Sequence, residues 1–184
     1  MILRLVDRRC AQPEAAADWF AGSGSEALLA GLAAGLGRSD WTVDLALVDD
    51  PAMTALNRDF RGTEGVTDVL SFSYLEAAGP GLPDLAGGSG GASSDLWLEP
   101  IARQDRDGPD PVVGEIVLAP GFIARRCAET EWPLDHEMPM LVVHGLLHVL
   151  GWDHRNESET EAMQVVEQEI LAAAGLPHPM RERG

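Results

Sequence analysis

The stretch from Pro139 to Leu150 constrains this chain more than any other. Placed on a helix, it is apolar on every side except at His144 and His148. A surface helix carries one apolar stripe, whereas a helix that is apolar all round is a buried one. The two histidines are four residues apart, so both imidazoles project from one face about one turn apart. A single core histidine is usually just a hydrogen-bonded core residue. Two in one apolar helix each need a partner for their buried ring nitrogens, and shared ligation supplies it. Gly151 comes three residues after His148 and can end the helix with a positive φ. His154 comes three residues later again, completing the pattern His-x-x-x-His-x-x-Gly-x-x-His.

Three neutral imidazoles with a fourth position open to water make the catalytic type of zinc site. A structural zinc usually has four protein ligands, often cysteines. The two cysteines, Cys10 and Cys127, are far apart and in no ligand spacing, so they read as free thiols in a reducing compartment. The expected metal ligands are therefore His144, His148 and His154, around one zinc ion. His136 and His178 lie outside the spacing and read as exposed surface histidines. Zinc proteases with a similar triad carry a glutamate directly after the first histidine as general base. Here that position is Gly145, which cannot move a proton. A peptidase reading loses its main catalytic group and ranks below a different hydrolysis.

The remaining chain organises around this helix. Its 184 residues suit one domain with a single core. No apolar run approaches the ~20 residues of a membrane-spanning helix, and the charged N-terminus does not read as a signal peptide, so a cytoplasmic location is expected. Ile2 to Val6 reads as a short edge strand, and Trp41 to Val48 alternates as a second strand. Glu14 to Leu36, interrupted by Gly22-Ser23-Gly24-Ser25, reads as two helices. Asp49-Asp50-Pro51 opens a helix that ends at Arg61-Gly62. Val69 to Tyr74 and Gly114 to Ala119 read as the third and fourth strands, and Pro120 begins a helix through Thr130. Ser158-Glu159-Thr160-Glu161 reads as a capping box that opens a helix to Ala174, with Gly175 as its stop. Residues 77–112 hold seven glycines and five prolines and read as a flexible surface insertion. The tail after Pro177 is expected to be loose.

The net charge of −17 comes from 30 acids against 13 bases, all of them arginine. It excludes a broad electrostatic grip on nucleic acid, though not a local arginine cluster at a site.

Three stretches resemble one family. His144-Gly145-Leu146-Leu147-His148-Val149-Leu150-Gly151-Trp152-Asp153-His154 closely resembles the signature of the YbeY family of bacterial endoribonucleases. Leu56-Asn57-Arg58-Asp59-Phe60-Arg61-Gly62, followed by Thr67-Asp68-Val69-Leu70-Ser71-Phe72, agrees with it. So does Gly114-Glu115-Ile116-Val117, where the family usually has glycine then aspartate. The resemblance implies an α+β, zincin-like single domain, with a small mixed four-stranded sheet and about five or six helices. It also implies zinc-dependent cleavage of single-stranded RNA, maturation of the 16S rRNA 3′ end, and ribosome quality control with the ribosome or its associated proteins as partners. It places a functional arginine at Arg61, whose planar fork can hold two oxygens of the scissile phosphate.

Around these residues, Asp153 reads equally as an orienting group for an imidazole or as a turn cap. Glu115, placed at the strand edge, reads as a structural or solvated carboxylate rather than a proton carrier. Ser71 and Thr67 need no special role, and Arg125 and Arg126 read as surface arginines. The chain departs from the family in its longer 77–112 insertion and in Pro139, which is expected to kink or restart the ligand helix. Two alternatives stay open beside the nuclease: a zinc peptidase, and a non-catalytic ribosome-associated module that uses zinc only to fold.

Overall fold

Residues 42–47 alternate apolar and polar like a half-buried strand, yet every one of them is buried. The structure, a computed structural model, describes residues 2–9, 20, 31, 41–75, 112–153 and 156–178. It shows why this strand is buried on both sides. Strands β1 (Ile2–Asp7), β2 (Thr42–Leu47), β3 (Val69–Ser73) and β4 (Val112–Leu118) form one sheet in the order β1-β2-β4-β3. β2 runs parallel to both β1 and β4, while β3 is antiparallel to β4. Parallel strands inside a layered fold are covered on both faces. The polar member Asp44 is tolerated inside because Arg4 of the edge strand donates to both of its oxygens, at 2.7 and 3.0 Å.

Four helices are seen among the described residues: α1 (Asp50–Arg61), α2 (Pro120–Thr130), α3 (Leu134–Val149) and α4 (Glu157–Ala173). Of the two further helices expected over 14–36, only Phe20 and Gly31 are described, both of them helical, and the insertion up to residue 111 lies outside the described residues. β4 begins at Val112, two residues before the strand expected from Gly114. The fold is α+β with a mixed four-stranded sheet, and it is layered. One sheet face, through Val43, Leu45, Leu47, Ile116 and Leu118, packs on Met138, Leu141, Val142, Leu146 and Val149 of α3. The other face, through Ala46, Leu70 and Val117, packs on Met53 and Leu56 of α1. The far side of α3, at Val143 and Leu147, packs on Met163 and Leu171 of α4. A helix held between a sheet and another helix has to be apolar nearly all round.

Local signals set most element ends. The Asp49 side chain accepts from the Ala52 N–H at 3.1 Å, Pro51 lies in the first turn, and Gly62 closes α1 at φ 65°. Two expectations are corrected. The ligand helix begins at Leu134, and Pro139 lies inside it. Buried Met138, and Glu137 paired with Arg126, anchor the turn before the proline, so packing carries the helix through the one backbone bond that proline removes. The N-cap of α4 is Asn156, not Ser158: its side chain accepts from the Glu159 N–H at 2.9 Å. Asparagine caps at least as well as serine, and with Asn156 as cap Glu159 falls at the third helical position.

Candidate metal centre

From Leu141 to Val149 only His144 and His148 are not buried. Gly145 and Val149 face the sheet and Val143 and Leu147 face α4, which leaves the two histidines as one half-open ridge. Their rings meet edge to face, with centroids 4.6 Å apart and planes at 82°. The two Nε2 atoms are 3.1 Å apart. Two ligands on a tetrahedral zinc at ~2.0–2.1 Å would stand about 3.3–3.4 Å apart, so the spacing fits a shared cation.

The other ring nitrogens decide which atoms face each other. His148 Nδ1 lies 2.9 Å from the Trp152 carbonyl oxygen, which can only accept, so the ring carries its proton on Nδ1 and donates it there. Gly151 makes this possible. At φ 93° it reverses the chain, the Trp152 N–H donates to the Leu147 carbonyl at 2.9 Å, and the Trp152 carbonyl is swung back towards the ring. His144 Nδ1 lies 2.7 Å from Glu167 Oε1 on α4. Burial by itself would raise the Glu167 carboxyl, but the hydrogen bonds from His144 and His178 outweigh it and hold the group below the ordinary carboxylate range. It is therefore an ionised acceptor, and His144 also donates from Nδ1. In neutral rings, both Nε2 lone pairs then point into the same gap. A shared cation suits that arrangement, because it is bound by the neutral imidazole through the nitrogen that carries no proton. Rings that donate to a carboxylate and to a backbone carbonyl have the outer contacts typical of metal-bound histidines.

Among the described residues no cluster of three or more histidine, cysteine or acidic side chains is gathered for a metal. His154 lies outside those residues. The structure thus brings together two of the three expected ligands. Arg61 sits exposed in the last turn of α1, at the start of the loop into β3, the strand whose Ser71 packs against Gly145 of the ligand helix.

Two residues that matter here were missed in the sequence. Glu167 occupies an apolar row, Met163-Glu167-Leu171, all buried on α4. A carboxylate in such a row was the available signal. His178, expected to be exposed, is buried, and its Nε2 lies 3.3 Å from Glu167 Oε2. His136 is likewise half-buried, edge-on to Trp132.

The sheet geometry revises one placement. Glu115 is in an interior strand, not at an edge, and faces away from the ligand helix on the side of Val117. Burial pushes its carboxyl up, opposed by Arg8 at 3.2 Å and by the Tyr74 hydroxyl, which donates at 3.2 Å. That is a structural carboxylate. Arg125 pairs with Asp50, and Arg126 bridges Asp68 and Glu137, so both are committed to carboxylates. Gly145 also acquires a packing reason. A Cβ there would lie 2.8 Å from Ile116 Cγ2 and 3.0 Å from Ser71 Oγ, so the helix lies directly on the sheet where a protease would carry its glutamate.

The comparison with known proteins agrees with the motifs. The family described as Endoribonuclease YbeY matches residues 25–175. The chain belongs to the YbeY family. YbeY relatives, each named Endoribonuclease YbeY, include one from Symbiobacterium thermophilum, 38% identical over 143 residues, covering 78% of this chain and 77% of the relative. Another, from Bradyrhizobium sp. strain BTAi1, is 34% identical over 144 residues, covering 78% and 72%. A third, from Nitrobacter winogradskyi, is 32% identical over 167 residues, covering 88% and 76%. The YbeY match spans α1 to α4 and so includes both histidines, Glu167 and Arg61.

Proposed function

We propose that this protein is a zinc-dependent endoribonuclease of zincin-like fold that cuts single-stranded RNA. In this reading it matures the 3′ end of 16S rRNA, takes part in ribosome quality control, and works in the cytoplasm. The observation that carries the metal is the pair of Nε2 lone pairs, 3.1 Å apart, on rings whose Nδ1 protons are already committed. His154 is the third ligand in this reading. Membership of an endoribonuclease family carries the RNA substrate.

Zinc, when bound, supplies Lewis-acid polarisation of a phosphate oxygen and lowers the pKa of water. The protein supplies the rest. Glu167 and the Trp152 carbonyl hold the two rings in register on a ridge that is half-exposed. Arg61 binds the phosphate through two parallel N–H contacts and stabilises the charge that develops on it. The chain's net charge of −17 leaves it a weak, salt-sensitive affinity for free RNA, so the ribosome or an associated protein presents the substrate.

Incubation of zinc-loaded protein with single-stranded RNA and with casein, each with and without chelator, tests the reaction class. RNA should be cut, cutting should stop in chelator, and casein should stay intact. Casein cleavage would establish the peptidase instead. No cleavage of either substrate, with a chelator-induced drop in Tm, would leave a folding role for the metal.

Arg61→Ala should lower the RNA cleavage rate by about 10²–10³-fold, the usual effect of losing one donor to a developing anion. Because Arg61 is exposed, its Tm should stay close to that of wild type. A variant with the full cleavage rate would remove Arg61 from the site.

A further inference from the structure

The chain beyond α4 reaches back to the candidate metal centre. Gly175 turns it at φ 73°, and the Leu176 N–H donates to the Leu171 carbonyl at 2.9 Å. The Leu176 side chain packs with Val143, Leu147, Met163 and Leu171. His178 is thereby laid against α4 two turns back from the helix end, with its side chain 5% exposed. Its Nε2 meets Glu167 Oε2 at 3.3 Å, while Glu167 Oε1 accepts from His144 Nδ1 at 2.7 Å. Each oxygen of one buried carboxylate is thus used by a different histidine.

We propose that His178 is a positioning residue for the metal centre: it locks the Glu167 carboxylate, and through it the ring of His144. This rests on the zinc reading above. A glutamate side chain has about 1.5–2 kcal/mol of rotamer freedom to lose, and one hydrogen bond to an imidazole leaves its other oxygen free to swing. The second contact removes that freedom. The terminal segment then contributes to metal affinity without touching the metal. Loss of such an outer contact typically costs a metal site 10–100-fold in affinity.

The test measures zinc affinity of the full-length protein by competition with a chromophoric chelator, and the visible spectrum of the cobalt(II) form. His178→Leu fills the same buried space without a donor, and His178→Gln restores an N–H of similar reach. His178→Leu should weaken zinc binding by about 10–100-fold and shift the cobalt bands; His178→Gln should recover most of both. In a Glu167→Ala background, His178→Leu should cost no further affinity, because the two act in series. If wild type binds zinc and His178→Leu binds it equally well with unchanged bands, the positioning role is overturned and the zinc reading stands. Equal loss of affinity from His178→Leu with and without Glu167 also overturns it. A wild-type protein that takes up no zinc overturns both.

Discussion

Replacing His144 by alanine is expected to remove zinc binding and RNA cleavage together, each by more than about 100-fold, the upper range for losing only an outer contact. It should also cost stability in the metal-free protein, which His148→Ala should do less. The difference lies in what each ring leaves behind. His148 donates to the Trp152 carbonyl, in a turn already held by backbone bonds. His144 donates to Glu167, whose side chain is 6% exposed and ionised. Without His144 its Oε1 loses its donor while Oε2 keeps the His178 contact, and a buried acceptor atom left unpaired costs about 1–3 kcal/mol. For a chain of this length that corresponds to a fall in apo Tm of roughly 2–4 °C per kcal/mol. Thermal melts of both metal-free variants, beside their zinc contents, check this. Equal melting temperatures would contradict the contact, and zinc retained by His144→Ala would contradict the ligand.

Gly114→Ala is expected to have the largest effect on the fold away from the histidines. Gly114 lies in β4, opposite Ser73 of β3 and beneath the last turn of the ligand helix. A Cβ there would stand 2.4 Å from Val149 Cγ1 and 2.7 Å from the Phe72 carbonyl oxygen. Val149 is fully buried and the carbonyl belongs to a paired strand, so neither yields easily. Overpacking of this kind costs about 1–3 kcal/mol, and here it pushes on the residue next to His148. The expected result is a Tm lower by roughly 2–4 °C per kcal/mol lost, with weakened zinc binding. Ser73 supplies a second clasp at the same place, its hydroxyl donating to the Val149 carbonyl at 2.7 Å. A Gly114→Ala protein with wild-type Tm and zinc affinity would contradict this close packing.

The parts of the fold legible in the sequence were those set by short-range rules. Asp49, Pro51 and Gly62 delimit α1, and Gly151 and Gly175 take the positive φ expected of them. The histidine spacing likewise dictates that two rings share one face. What escaped reading depends on contacts distant in sequence. The polar Asp44 made β2 look half-exposed, because its partner Arg4 is 40 residues away. That the helix runs unbroken from Leu134 through Pro139 is not legible locally, because the pairing of Glu137 with Arg126 joins two helices. Glu167 and His178 escaped for the same reason: a carboxylate on an amphipathic helix is ordinarily a solvated one, and only the fold brings it to His144. In the sequence Gly145 is a missing base, and the structure adds that Ile116 and Ser71 leave no room for one.

Zinc titration of chelator-stripped, tag-free protein, followed as the rate of single-stranded RNA cleavage, tests the assignment most directly. The rate should start near zero and stop rising at about one equivalent of zinc per chain, as a single three-histidine site requires. A cleavage rate that is the same before stripping, after stripping and throughout the titration would contradict it.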